Sequence, residues 1–368
     1  MENSINIPCL DLKKQYLTIK DEVLKITEEV FSQTAFSGGP FVEKFENSFA
    51  TFCDTKYALG CNNGTTALHL AMLALDIKPG DEVIIPANTF IATAWGVSYV
   101  GATPVFVDCD PNTWEIDVKA AEKAITPKTK AIIGVHLYGQ PFDIAPLKAI
   151  CDKHKIFLVE DAAQAQGAKY NGKPVGGFGE LATFSFYPGK NLGAFGEAGG
   201  LTTNNEAYLK HMQRLRNHGM TVRYYHEEIG YNYRMDGLQG GILEFKLGKL
   251  EGWNNRRREI AKMYQNGIKN EKIKLQTQPE NTESIYHLFV VTTEDRDGFM
   301  SYLNSKNIFP GLHYPVPCHL QDAYKYLGYK KGDFPHTEYL SEHCLSLPMF
   351  PELTDEEVNI VIDAVNLY

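Results

Sequence analysis

Six short apolar runs with little polar alternation constrain this chain more than anything else in it. They are Tyr57–Cys61, Glu82–Ile85, Pro104–Val107, Ala131–Val135, Ile156–Val159 and Thr183–Tyr187. A strand with one wet face alternates apolar and polar residues, whereas a near-continuous apolar run is a strand covered on both faces. Helix-type spacing lies between the runs: Leu68, Met72 and Leu75 recur at helical intervals within residues 67–75. Alternation of this kind predicts an α/β fold, with a mostly parallel sheet between two layers of helices. In such sheets ligands collect beyond the carboxyl ends of the strands.

The pattern changes near residue 250. Residues 238–250 read as one long helix that continues through residues 259–264. The remainder, with the apolar run 287–291 and several helical pieces, reads as a smaller α+β unit. The 368 residues are enough for two cores. We expect a large domain over 1–250 and a small one over 251–368, with the N-terminal segment free to pack on the small one.

Charge and cysteine usage narrow the function classes. The net charge is −9, and the one basic run is Arg256-Arg257-Arg258, which reads as a solvated helix face. Nucleic acid is therefore not an expected partner. Seven scattered cysteines, none in a CxxC pair, argue against a disulfide framework or a structural zinc site. The opening MENSINIPCLDL lacks the basic start and apolar stretch of a signal peptide, and no apolar run is long enough for a membrane span. The expectation is a cytoplasmic protein that binds no metal.

Two residues carry the strongest chemistry. Asp161 follows an apolar run, and Lys190 sits in the glycine-rich turn Ser185-Phe-Tyr-Pro-Gly-Lys-Asn191. A carboxylate can keep a pyridine nitrogen protonated, and a lysine amine can form an imine with an aldehyde. Together they point to pyridoxal 5′-phosphate. The stretch Asn62-Asn-Gly64-Thr65-Thr66 lies between a strand and a helix. Free N–H groups at a helix start favour a phosphate, although a threonine there also serves as an ordinary cap. Asn232 and Arg234, ahead of the long helix, are further candidate phosphate donors. The segment His313-Tyr314-Pro-Val-Pro-Cys-His319 reads as a rigid loop facing substrate, since no further ligand has zinc spacing.

These motifs, together with Pro8–Leu12, Ser37–Pro40 and Pro86–Phe90, resemble the DegT/DnrJ/EryC1/StrS family of nucleotide-sugar aminotransferases along nearly the whole chain. The resemblance implies the aspartate-aminotransferase type I fold and a homodimer that builds each site across its interface. It implies that Lys190 bonds the cofactor and then shuttles protons, and that Asp161 pairs with the pyridine nitrogen. Gln164 would approach the ring or its 3-hydroxyl and Phe90 would stack on its face. Gly64, Thr65, Thr66 and Ser185 would hold the phosphate, with Asn232 and Arg234 reaching it from the neighbouring subunit.

The pieces His136–Pro141, SFYPGKN and HYPVPCHL look like the subgroup acting on dTDP-linked 3-keto-6-deoxyhexoses. Tyr187, His313, Tyr314 and His319 are then the expected substrate contacts, and L-glutamate the expected amino donor. The alternatives are a 4-keto aminotransferase for a GDP- or UDP-linked sugar and a non-catalytic binding protein on the same scaffold. Ala198 stands where many relatives have glycine, and Asn63 where serine is frequent. A branch of the family with histidine in place of the lysine performs dehydration, and Lys190 argues against that chemistry.

Overall fold

A computed structural model describes residues 6–368; the leading residues of the stretch tested for a signal peptide, 1–5, lie outside them. Seven strands form the central sheet. They are β1 (Tyr57–Cys61), β2 (Glu82–Pro86), β3 (Thr103–Val107), β4 (Thr129–Val135), β5 (Phe157–Asp161), β6 (Leu181–Ser185) and β7 (Gly199–Thr203). Their order is β1-β7-β6-β5-β4-β2-β3. The run from β6 to β3 is parallel, and β7 is antiparallel to both its neighbours.

Side chains of one strand alternate between faces, and here both faces are covered. Ile84, Ile132, Leu158, Ala182 and Phe184 join one core with Phe45 and Phe49 from the helix Pro40–Phe52 and Leu147 from the helix Ile144–His154. Val83, Ile85, Ala131, Ile133, Val159 and Leu181 join the other core. Leu70 and Met72 of the helix Gly64–Ala74 and Val97 of the helix Ile91–Tyr99 pack there. This two-sided burial explains why the strands read as continuous apolar runs.

Beyond shifts of one or two residues at other strand ends, the sheet differs from the sequence reading in one strand's bounds and in one strand that was not read at all. The run expected over 183–187 pairs over Leu181–Ser185. Phe186 then closes the ladder by donating its N–H to the Ala198 carbonyl, and the chain turns away at Tyr187. Strand β7, Gly-Gly-Leu-Thr-Thr, has too few apolar residues to be read as a strand and exists through its pairing on both sides.

A third core gathers Ile7, Ile260, Tyr264, Phe289, Val291, Phe299, Leu345 and Val361. Its sheet sets Phe289–Thr292 between Lys274–Leu275 and Cys344–Leu347. One 31-residue helix, Gly237–Gly267, links the cores: Leu243 and Leu250 lie in the first, and Ile260 and Tyr264 in the third. Residue 250 falls inside this helix. Among the described residues no helix is long and apolar enough to cross a membrane.

Candidate active site

The carboxyl ends of β2, β4, β5 and β6 open onto a cavity of about 1060 Å³. It brings together Gly64, Thr65, Thr66, Phe90, Asp161, Gln164, Ser185, Tyr187, Lys190, His313 and Tyr314.

The acid comes from the last residue of β5. Alternation sends Glu160 and Asp161 to opposite faces. Glu160 is fully occupied, accepting from the N–H groups of Gly176, Phe178 and Gly179 and lying 3.1 Å from His136 Nε2. Asp161 is 4% exposed and has fewer partners. Thr93 Oγ1 donates to its Oδ2 at 2.8 Å, and the Ala163 N–H donates to Oδ1 at 3.2 Å. Burial pushes its carboxyl above the usual range, opposed by the Thr93 hydroxyl, the Ala163 N–H and the Lys190 charge. A buried acid so placed is stabilised as a carboxylate by a cationic N–H ligand.

Lys190 is reached by the turn after β6, where its N–H bonds the Tyr187 carbonyl at 2.8 Å. Its side chain is open to the cavity yet enclosed by protein. That desolvation pushes its amine from 10.5 down to about 8, with the Asp161 charge opposing. About a tenth is then the neutral, nucleophilic form at pH 7, several hundred times the roughly 0.03% of an ordinary lysine.

The phosphate end is the start of the helix Gly64–Ala74. Asn63, not a threonine, caps it: its side chain accepts from the Thr66 N–H at 2.9 Å, and Thr66 Oγ1 accepts in return from the Asn63 N–H. The cap leaves the N–H groups of Gly64 and Thr65 without an intrahelical carbonyl and at the positive end of the helix. Two close approaches shape this cradle. A Cβ on Gly64 would sit 2.7 Å from Ser185 Cβ, and one on Gly199 would sit 2.3 Å from the Asn63 carbonyl. The backbone is thus held open at one end and an acid stands at the other, which fits the phosphate and ring nitrogen of one flat cofactor.

Gln164 is fixed by two bonds. Its Oε1 accepts from the Tyr138 N–H at 2.7 Å, and its Nε2 donates to Tyr314 Oη at 3.0 Å. The rings of Phe90 and Tyr314 lie 5.4 Å apart at the cavity wall. His313 pairs its Nδ1 with Ser346 Oγ at 2.8 Å, and burial with the Lys190 charge holds it down to about 4, so it is neutral.

Three expected contacts lie outside the cavity lining. His319 is 1% exposed, with Nε2 3.1 Å from Glu338 Oε1 and its ring against Phe334. It is a core histidine here, because a short turn of helix over Cys318–Leu320 buries it while Cys318 donates to the Ala87 and Thr89 carbonyls. Asn232 is exposed, and Arg234 donates to Ser37 and Asn217. The sequence reading missed Thr93, His287 and Arg257, all of which line the cavity. The basic triplet is also corrected: Arg257 is 3% exposed, not on a solvated face. The available signal was helical phase, since Arg257 lies one turn from Asn254 and Ile260, both wholly buried.

Residues 17–366 match the family described as the DegT/DnrJ/EryC1/StrS aminotransferase family. Over 362 residues the chain is 44% identical to the dTDP-3-amino-3,6-dideoxy-alpha-D-galactopyranose transaminase of Aneurinibacillus thermoaerophilus, covering 98% of this chain and 99% of that one. It is 42% identical over 364 residues, 98% of each chain, to a protein of Geobacillus stearothermophilus named pleiotropic regulatory protein. Among solved structures, S. venezuelae DesV in complex with a ketimine intermediate gives a TM-score of 0.97 at 41% identity, covering 98% of both chains. NtdA from Bacillus subtilis with bound cofactor PMP gives 0.91 at 33%, covering 99% of this chain and 85% of that one. Matched over nearly its full length in sequence and in fold, this chain belongs to the DegT/DnrJ/EryC1/StrS aminotransferase family, whose cofactor is pyridoxal 5′-phosphate.

Proposed function

We propose that this enzyme moves an amino group from L-glutamate to the C-3 keto group of a dTDP-linked 3-keto-6-deoxyhexose, as a homodimer in the cytoplasm. The observation that carries the acceptor is the 44% identity, over almost the whole chain, to a transaminase named for a dTDP-3-amino-3,6-dideoxy sugar. Free cysteines throughout the described residues fit a reducing compartment. The division into a large domain over 1–250 and a small one over 251–368 stays part of the proposal. The third core, which draws in Ile7, supports the smaller unit.

When bound, pyridoxal 5′-phosphate supplies an aldehyde that carries the amino group and a ring that takes up electron density from the carbon losing its proton. Asp161 would hold the ring nitrogen protonated. The N–H groups of Gly64 and Thr65, with the hydroxyls of Thr65 and Ser185, would hold the phosphate. Phe90 would cover one ring face, and Gln164, locked by Tyr138 and Tyr314, would limit rotation of the ring. Lys190 Nζ would be the group that takes the proton from the donor's α-carbon and hands it to the cofactor carbon on the other side of the transferred nitrogen. It would do the reverse when the sugar accepts the amine. Holding both reactants converts that transfer into an intramolecular step, worth up to roughly 7–11 kcal/mol in good geometry.

Partner contact explains the exposure of several apolar and polar groups. Phe90 at the cavity mouth is 48% exposed, and Tyr224, Tyr225 and Ile229 stand out just ahead of Asn232. A second copy would cover them and bring Asn232 and Arg234 to its neighbour's phosphate end.

The regulatory name of one relative raises the binding-only alternative. Against it stands the single cavity that brings Lys190, the buried Asp161 and the helix start at Gly64 together, a lysine, an acid and a phosphate cradle that binding alone does not require. Purified protein given L-glutamate and either 3-keto or 4-keto dTDP-sugars tests the assignment. Amination of the 3-keto sugar is expected. Amination of the 4-keto sugar alone, or of neither, overturns it.

A further inference from the structure

Tyr138 is a buried tyrosine held in left-handed backbone (φ 60°, ψ 6°), in the turn Leu137–Gly139 that follows β4. A bulky residue rarely adopts that conformation, and it persists only where the surroundings hold it. Three hydrogen bonds do so. Its N–H donates to Gln164 Oε1 at 2.7 Å, its carbonyl accepts from the Leu288 N–H at 3.2 Å, and its hydroxyl donates to the His313 carbonyl at 2.6 Å. Packing does not call for the hydroxyl: a phenylalanine would fill the same space among Cys109, Trp114, Val290 and Cys344.

Two of these bonds close a circuit. Gln164 Nε2 donates to Tyr314 Oη at 3.0 Å, and Tyr314 follows His313 in the chain, so the path from Tyr138 through Gln164 and Tyr314 returns to Tyr138. Every direction in it is fixed. The Tyr138 N–H can only donate, which makes Oε1 the acceptor and Nε2 the donor of Gln164. Burial pushes both phenols above the usual tyrosine range, so each keeps its proton. Tyr314 Oη therefore accepts from Gln164 and keeps its own O–H for something else at the cavity wall. The loop is pinned at its ends, where Gly311 pairs with Ser346 and the Cys318 N–H reaches the Ala87 carbonyl. Between those ends the His313 carbonyl has one other donor among the described residues, Cys344 Sγ at 3.6 Å, which is weak.

We propose that Tyr138 is a positioning residue: its hydroxyl holds the His313–Tyr314 segment in register with Gln164, so that the wall facing the sugar and the side chain facing the cofactor ring are set as one unit. This rests on the reading of a dTDP-linked keto sugar as acceptor. The alternative is a hydroxyl that only satisfies a buried carbonyl. Its loss would then weaken the fold without distinguishing one substrate from the other. The circuit makes a different demand, because Tyr138→Phe leaves the N–H that holds Gln164 and removes only the tie to the loop.

The test uses the cofactor-loaded enzyme and follows the two half-reactions separately. Removing a hydrogen bond to a buried carbonyl should raise KM for the 3-keto dTDP-sugar about 10-fold or more in Tyr138→Phe, and KM for L-glutamate by a factor at least about fivefold smaller. Tyr314→Phe opens the circuit at another corner. If the circuit acts as a unit, the double variant should lose no more kcat/KM for the sugar than the worse single variant, within about threefold. Losses that multiply, an equal rise in both KM values, or an unchanged sugar KM in Tyr138→Phe overturns the proposal. Failure of the wild type to aminate the 3-keto sugar is a separate result, seen before any variant is made. It breaks the acceptor reading and takes the proposal with it. Should Tyr138→Phe not fold, a crystal structure of the wild-type enzyme with the dTDP-3-amino sugar product decides. All three bonds intact with His313 or Tyr314 on the sugar supports the proposal; a broken Tyr138–His313 bond, or a sugar bound elsewhere, refutes it.

Discussion

Lys190 and Asp161 perturb one another, and each can be probed separately. Cofactor capture needs the neutral amine, and the neutral fraction grows as pH rises through the amine's pKa. With that value lowered to about 8, the rate of capture by cofactor-free protein should climb with pH and be half-maximal near 8. A midpoint near 10.5, the ordinary lysine value, would contradict the burial described here. Thr93→Val removes the hydroxyl that donates to Asp161 Oδ2 while keeping the side chain's shape. A hydrogen bond to a charged group contributes about 1.5–3 kcal/mol, so kcat should fall at least about tenfold. The acid limb of the pH profile should move to higher pH, because the carboxylate ionises less readily. A stopped-flow and steady-state series across pH measures both. Asp161 and Lys190 were legible because a strand end and a glycine-rich turn are local features. Thr93, His287 and Arg257 were not, since each enters the site through a tertiary approach that no short window of sequence contains. His319 failed for the same reason, its neighbours Glu338 and Phe334 being supplied by a later segment.

At the scale of elements, the phosphate end depends on how closely β7 approaches the start of the helix Gly64–Ala74. A methyl group at residue 199 would meet the Asn63 carbonyl at 2.3 Å and the Gly64 nitrogen at 2.7 Å. Backbone cannot yield there without moving the cap. Overpacking of this kind costs about 1–3 kcal/mol, so Gly199→Ala should lower the melting temperature and weaken cofactor affinity by about tenfold or more. Unchanged affinity by fluorescence titration would show that the helix start is not the phosphate cradle. The buried strands were readable because two covered faces leave an apolar run. Strand β7 was hidden, since its glycines read as turn residues and only the ladders to β1 and β6 make it a strand.

For the whole molecule, a site shared between two chains has a consequence that a self-contained site lacks. Lys190→Ala removes the amine from one subunit's own site. A variant at Asn232, an exposed residue outside the cavity lining, removes a contact the partner is proposed to supply. In a randomly mixed dimer population, half the molecules are heterodimers, each with one intact site. Mixing two inactive variants should therefore restore about a quarter of wild-type activity, as twofold symmetry requires. No recovery after verified subunit exchange would place both residues in the same site. This scale was the least legible from residues alone. A composition with net charge −9 says nothing of which face meets a second copy, and the dimer entered through resemblance.

The central claim is that one amine and one acid hold the two working positions of a single ring. Borohydride reduction of the cofactor-loaded enzyme, followed by peptide mapping, tests it most directly. The label should sit on Lys190, should be absent from Lys190→Ala even though that variant still takes up cofactor, and should be lost when L-glutamate is added first. Label on another lysine, or a colourless protein that borohydride leaves unchanged, would contradict the account.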